Sequence, residues 1–195
     1  MTIKDRLYDI LPWAAAAVLL ALTVHLVSVL LMPLVAPRDA FARLRQVEAS
    51  LEVNKKGVLL LPQAAPGEQL LPFEDPATAE GACLFDLSKG TLRVRAAVNG
   101  DDFVGVSLHE PSGAVFHALS DRAATKGVIE IVVGDARQIE ELEADDEEGE
   151  VVQEVRVVSP STKGFALIRA LAQRPSDVDT ARALVAAASC KVEAE

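Results

Sequence analysis

The hydrophobic pattern divides the chain into one long apolar run and a larger region of short alternating segments. From Leu11 to Val35 there is no Asp, Glu, Lys or Arg. A helix of that length covers about 37 Å, against a bilayer hydrocarbon core of about 30 Å. A cleaved signal peptide has an apolar region of only about 7–15 residues before a small-residue cleavage site, whereas this run ends in Leu30, Leu31 and Met32. The pattern predicts a short tail over residues 1–10 and an uncleaved transmembrane helix over residues 11–36.

Beyond the anchor, apolar residues recur at the spacing of one helix face. Phe41, Leu44, Val47 and Leu51 follow intervals of three and four residues, which is typical of an amphipathic helix. We expect a juxtamembrane helix over residues 37–56 that lies against the membrane or caps a folded domain.

The remainder, residues 57–195, is dominated by short β-rich runs separated by turn residues. Leu92 and Val94 alternate with Arg93 and Arg95, as in an antiparallel strand with one buried face. Asn99-Gly100 predicts a tight hairpin, because both residues tolerate positive φ. These features predict an α+β fold that is mainly antiparallel β, with a meander or sandwich-like sheet rather than βαβ units.

The C-terminal third adds an acidic loop and two predicted helices. Residues 140–150 contain eight acidic residues and no basic one, without the ligand spacing of a calcium loop, so we expect a solvated loop. After the strand QEVRVVS, residues 163–172 are predicted to form a helix that begins at Ser161 or Thr162. A second helix, residues 177–189, begins after Ser176.

Composition and motifs exclude several functions. The formal net charge of −10 argues against nucleic-acid binding. The chain contains no GxSxG, P-loop, GxGxxG or HExxH motif, so no cofactor or metal is predicted.

Four residues around one predicted hairpin are the candidates for chemistry. His109 and His117 fall on neighbouring strands, and with Asp121 they would provide general acid–base catalysis or metal ligation. Ordinary sheet positions are the alternative. Arg122 is a candidate for pairing with Asp121 or Asp86 or for binding an anionic ligand, and a surface arginine beside a turn is the alternative.

The residues leave the compartment and the state of the cysteines open. Two basic residues precede the apolar run and three follow it closely, which weakly favours a cytoplasmic C-terminal domain. The short N-terminal tail favours the opposite orientation. Cys83 and Cys190 are too far apart for a zinc or thioredoxin-type motif, and they are either bridged in an oxidising compartment or buried as two thiols.

Three segments carry a resemblance to a known family: CLFDLSKGTLRVRAAV, FVGVSLHEPSGAVFHALSDRAATKG and EVRVVSPSTKGFALIRAL. Together they resemble short bacterial membrane proteins, the single-helix branch of the domain-of-unknown-function family twelve-fifty-four. The resemblance implies a single-pass inner-membrane protein with a periplasmic β domain, often encoded beside a sister small membrane protein. It also implies a disulfide between Cys83 and Cys190, and it carries over no catalytic residue.

Three hypotheses for function follow, and the sequence favours the first. The chain is an envelope protein without enzymatic activity, anchored in the lipid bilayer, whose β domain binds a partner such as the sister protein. Alternatively, it is a hydrolase that uses His109, His117 and Asp121. In the third hypothesis it is a single-pass subunit of a membrane complex, where His25 contacts other helices. The oligomeric state does not follow from the sequence.

Overall fold

The computed structural model describes residues 3–35, 40–51, 53–64, 74–99, 102–146 and 153–193. The chain divides into two compact units, Met1–Arg38 and Asp39–Glu195; the second is called the folded unit below.

The first unit is one helix, α1, which runs from Ile3 to Val35. The helix begins within the predicted tail. Residues 3–11 contain no proline, so each of them can take part in the backbone hydrogen bonds of a helix. The segment Asp9–Leu31 has a mean hydropathy of 2.4, and none of it is buried. By length and composition it can cross a membrane, a property that membrane anchors share with signal sequences.

The folded unit contains nine strands and three helices among the described residues. The strands are β1 (Leu59–Leu60), β2 (Thr78–Asp86), β3 (Thr91–Ala97), β4 (Val104–His109), β5 (Val115–Ser120), β6 (Val128–Gly134), β7 (Val155–Val158), β8 (Lys163–Leu171) and β9 (Ser189–Glu193); the helices are α2 (Ala40–Glu48), α3 (Ala136–Ala144) and α4 (Val178–Ala187).

Two sheets share one hydrophobic core. One sheet has the order β1-β2-β8-β4-β5 and the other β7-β6-β3-β9; they are called sheets A and B. Val106 and Ile168 of sheet A lie in the same core cluster as Val94 and Ile131 of sheet B, so the sheets form a sandwich. The predicted class, α+β with mainly antiparallel sheets, is confirmed.

The helix predicted for residues 163–172 is wrong. These residues form β8, which pairs with β2 along one edge and with β4 along the other. Ala166 and Ile168 face the core between the sheets, and Phe165 and Leu167 face a second cluster on the outer side of sheet A. A strand buried on both faces has a continuous apolar sequence, which periodicity does not separate from a buried helix. Among the described residues, α4 is therefore the single C-terminal helix.

Two predicted connections are also wrong. β3 and β4 do not form a hairpin, because β3 pairs with β6 and β9 whereas β4 pairs with β5 and β8. The turn chemistry at Asn99 indicates a reversal but does not select the pairing partner; residues 100 and 101 lie outside the described residues. In addition, β6 and β7 pair in parallel with α3 between them, so sheet B contains one βαβ unit.

Helix α3 occupies the first part of the predicted acidic loop. Asp135 and Gln138 form a capping box at its start, and Ile139 packs into the interior. Glutamates are compatible with a helix once its N-terminus is capped, so residues 140–144 are helical. Residues 147–150 lie outside the described part of the chain.

Helix α2 caps sheet A and is shorter than predicted. Leu44 is fully buried in the outer cluster with Leu59 and Leu167. The helix ends before a turn in which the Asn54 side chain accepts hydrogen bonds from the N–H groups of Lys56 and Val58.

A disulfide between Cys83 and Cys190 joins the two sheets. Cys83 lies on β2 and Cys190 on β9, their Cα atoms are 6.2 Å apart, and 107 positions separate them in sequence. Both residues are buried. The bond ties the C-terminal strand of sheet B to sheet A.

Replacing both cysteines, Cys83→Ala with Cys190→Ala, is expected to lower the free energy of unfolding by up to about 4.7 kcal/mol, because a closed loop of about 100 residues restricts the unfolded chain. Denaturant unfolding of the full chain in detergent, followed by circular dichroism, measures the change. Reductant should shift the wild-type curve to a similar extent and leave the double variant unchanged. Equal stability of the oxidised and reduced wild type would contradict the prediction.

Candidate functional site

His109 is fixed inside the β4–β5 hairpin. Its ring stacks on Phe165 with centroids 4.6 Å apart and planes within 5°. The carbonyl oxygen of Gly113, 3.0 Å from Nδ1, can only accept, so Nδ1 carries the proton and Nε2 accepts from the Ser107 hydroxyl at 2.8 Å. Burial lowers the pKa of His109; the Gly113 hydrogen bond opposes this effect and the charge of Arg169 adds to it. His109 is thus a neutral side chain that holds the turn in place.

His117 lies on the opposite face of the same sheet. It is the register partner of Leu108, and paired residues in an antiparallel ladder point to the same face. Leu108 belongs to the core between the sheets, whereas His109 shares the outer face with Ser107. The two histidines therefore do not converge on one ligand. Across the described residues, no group of three or more His, Cys, Asp or Glu side chains could hold a metal ion.

Asp121 and Arg122 form a turn rather than a site with the histidines. They begin a single 3₁₀ turn after β5, where the Ser120 side chain accepts a hydrogen bond from the Arg122 N–H. Arg122 is exposed, and within the described ranges it forms no ion pair with Asp121. Asp86, the other predicted partner of Arg122, lies 3.5 Å from the amino group of Lys163 instead.

The free side of β5 is an unusual sheet edge, called the β5 edge below. Its six residues, Val115–Ser120, include no Lys, Arg, Asp or Glu, and among the residues that the structure describes β5 pairs with β4 alone. Val115 is 57% exposed. The other three edge strands among the described residues are shorter than β5, since β1 has two residues, β7 has four and β9 has five. In addition, β7 and β9 contain charged side chains. Short length and charge are the devices that protect sheet edges from pairing, and β5 has neither.

A groove of about 210 Å³ opens where α2 meets the ends of both sheets, and it is called the cationic groove below. Five separate elements line it, so no local sequence signal could have indicated it. Its lining residues are Phe41, Arg45 and Glu48 of α2, Leu84, Phe85 and Asp86 of β2, and Lys89, Lys163 and Val192.

The charges of this groove are unequally satisfied. The Asp86 carboxylate accepts hydrogen bonds from the Ser88 hydroxyl at 2.6 Å and from the Ser88 N–H at 3.2 Å. These bonds outweigh desolvation and lower the pKa of Asp86, so it is an anion that is already engaged. Arg45 and Lys89, by contrast, have no ion pair within the described residues.

On the outer face of sheet B, by contrast, the arginine side chains are paired with carboxylates. Arg93 binds Glu130 at 2.9 Å, Glu193 at 3.0 Å, and also Glu154. Burial alone would lower the pKa of Arg93, but the hydrogen bonds to these carboxylates outweigh burial and raise it. Arg156 likewise makes a bidentate pair with Asp146 at 2.7 and 2.8 Å. Both guanidinium groups are therefore already paired with carboxylates of this chain.

The fold and its surfaces define a two-sheet α+β domain that follows one membrane-type helix. The chain belongs to the DUF1254 family, described as proteins of unknown function, whose family model matches residues 62–192. The resemblance to family twelve-fifty-four is thereby confirmed.

Two solved structures are similar over part of their length. The VPA0106 protein from Vibrio parahaemolyticus has 16% sequence identity and a TM-score of 0.46, covering 62% of this chain and 29% of that protein. An uncharacterized protein from Burkholderia cenocepacia has 13% identity and a TM-score of 0.39, covering 71% and 37%. The chain thus spans about a third of the length of each. No curated protein matches the chain.

His109→Phe is expected to remove a pH-dependent part of the stability. Because the folded-state pKa of His109 is lowered, the unfolded chain binds a proton first as the pH falls. The contribution of His109 is complete above the ordinary histidine pKa of about 6.5 and is lost as the pH falls from there toward the folded-state pKa. Unfolding curves from about pH 7 to about pH 5 measure it.

At neutral pH this variant should lose about 1–3 kcal/mol, because the Ser107 hydroxyl and the Gly113 carbonyl lose their partner. The loss should shrink as the pH falls. Ser107→Ala is the matched control, since it removes one hydrogen bond and keeps the titrating ring. Parallel pH profiles of the wild type and His109→Phe would show that the histidine does not contribute in this way.

Proposed function

We propose that the protein is a membrane-anchored interaction protein of the bacterial envelope that acts by binding and has no enzymatic activity. In this proposal α1 lies in the inner membrane and the folded unit lies in the periplasm. The β5 edge binds an extended segment of a partner protein, and the sister small membrane protein implied by the family resemblance is the first partner to test.

The β5 edge is the observation that carries this proposal. In an antiparallel ladder, every second residue of an edge strand directs its N–H and C=O groups away from its neighbour. An extended partner segment would satisfy these groups and add a sixth strand to sheet A, so that backbone hydrogen bonds provide affinity and side-chain contacts provide specificity. Val115, exposed beside His109 in the register, offers an apolar contact at the start of the strand.

Charge favours a different protein over a second copy of this chain. Two copies would each bring a net charge of −10, and like charge opposes self-association. The β5 edge itself carries no formal charge, so it places no such restriction on a neutral or basic partner segment.

The disulfide supports the proposed compartment. Disulfides persist in oxidising compartments such as the periplasm and are rare in the cytosol. The Cys83–Cys190 bond therefore outweighs the small excess of basic residues that follow α1.

Val115→Lys is expected to weaken partner binding about tenfold, because a charge on an exposed edge opposes strand addition. A photo-crosslinking residue at the exposed Ala118 of the β5 edge should form one discrete adduct in intact cells, identified by mass spectrometry. The yield of this adduct measures binding.

Val158→Lys is the matched control, because Val158 is 51% exposed but lies on β7 of sheet B; it should leave the yield unchanged. The same crosslinker at Ala183, exposed on α4, should give no such adduct. An adduct with the mass of two copies of this chain, or equal yields at Ala118 and Ala183, would overturn the proposed partner mode.

Protease treatment of spheroplasts is expected to digest the folded unit without lysis, with the C-terminal region followed on gels in the presence and absence of reductant. A mobility shift on reduction should accompany digestion, since both depend on exposure of the folded unit to the periplasm. Protection until the cells are lysed would place the folded unit in the cytoplasm and contradict the proposal.

A further inference from the structure

We propose that the cationic groove binds the anionic headgroup of a membrane phospholipid together with the first methylene groups of its acyl chains. This site is separate from the β5 edge: its residues lie on α2, β2, β8, β9 and the turn at Lys89, and none lies on β5.

The lining of the groove combines cationic and apolar groups. Arg45 and Lys89 provide two side chains without ion pairs in the described part of the chain, and Lys163 provides a third cation that faces Asp86. Phe85 belongs to the core, and Val192 is 43% exposed. Guanidinium and ammonium groups bind phosphate oxygens. The apolar side chains of the lining favour a ligand that also has a hydrocarbon part.

The size of the groove limits how much of the ligand it can hold. Sites for drug-sized molecules are typically about 300–1,000 Å³, and this groove has about 210 Å³. That volume suits a headgroup phosphate, the glycerol and a few methylene groups, with the remaining acyl chain left outside.

The groove has a net positive charge, whereas the whole chain has a net negative charge. The whole sequence has 29 acidic and 19 basic residues, yet three cations and two anions line this groove. Asp86 is engaged by Ser88 and Lys163, which leaves Glu48 as the other acidic side chain of the lining. A net positive cavity on an acidic protein selects for anions.

Two further observations favour a lipid over free phosphate or an acidic peptide. Free phosphate would gain nothing from the apolar side chains of the lining, which also include Phe41 and Leu84. In sequence, only four residues separate the end of α1 from the start of α2, so α2 is the groove element that follows the membrane-type helix most directly along the chain.

Native mass spectrometry of the full chain in a neutral detergent tests the proposal, with phosphatidylglycerol and phosphatidylcholine of equal chain length as probes. We expect one phosphatidylglycerol molecule to be retained preferentially. The double variant Arg45→Gln with Lys89→Gln should lower the retained fraction about thirtyfold, since each basic residue near an anionic lipid contributes to binding.

The matched control is Lys55→Gln with Arg174→Gln, which also removes one Lys and one Arg from exposed positions but leaves the groove unchanged; its lipid retention should equal that of the wild type. Both double variants should unfold at the wild-type temperature, since all four side chains are on the surface. Equal retention of the two lipids, displacement of phosphatidylglycerol by inorganic phosphate alone, or an unchanged Arg45 and Lys89 variant would each overturn the proposal.

Discussion

Strand β8 is paired on both edges and buried on both faces, and the layers of the folded unit are arranged around it. Its even-numbered residues, such as Ala166 and Ile168, pack against sheet B, while Phe165 and Leu167 pack against α2. The contacts are tight: a Cβ atom on Gly164 would lie 2.4 Å from the carbonyl oxygen of His109. β8 therefore fixes the positions of β2 and β4, and with them the wall of the cationic groove and the hairpin that presents the β5 edge.

The two proposed surfaces contrast with the outer face of sheet B, where the arginine side chains are paired with carboxylates. On sheet B, Arg93 and Arg156 are neutralised by carboxylates, and the register places them on either side of Val132, which is fully buried although it lies on the outer face. Those charges form a covering layer. Arg45 and Lys89 have no such partners among the described residues, although Glu48 and Asp86 line the same groove.

The features that could be predicted from the sequence are those set by local periodicity. The apolar run through Leu11 and Val35 defines α1, and the alternation around Arg93 and Arg95 defines β3. The failures share one cause, which is that strand pairing is a long-range choice. The apolar sequence of β8 fits a buried helix as well as a strand, and only its pairing with β2 and β4 distinguishes the two. The turn residues at Asn99 likewise do not show that β3 and β4 belong to different sheets. The cationic groove depends on residues between positions 41 and 192 and was beyond any local signal.

Within the proposed function, the acidic composition of the chain complements the uncharged β5 edge. An edge with neither charge nor short length pairs readily with any extended chain, including another copy of itself. Eight acidic residues lie between positions 140 and 150, away from β5 in sequence, so they raise the repulsion between copies without placing a charge on the edge. Such repulsion is long-ranged and weakens with salt, whereas backbone pairing is short-ranged. In this proposal, charge repulsion acts before two copies come close enough for their β5 edges to pair. The edge is then available to a partner segment of different charge.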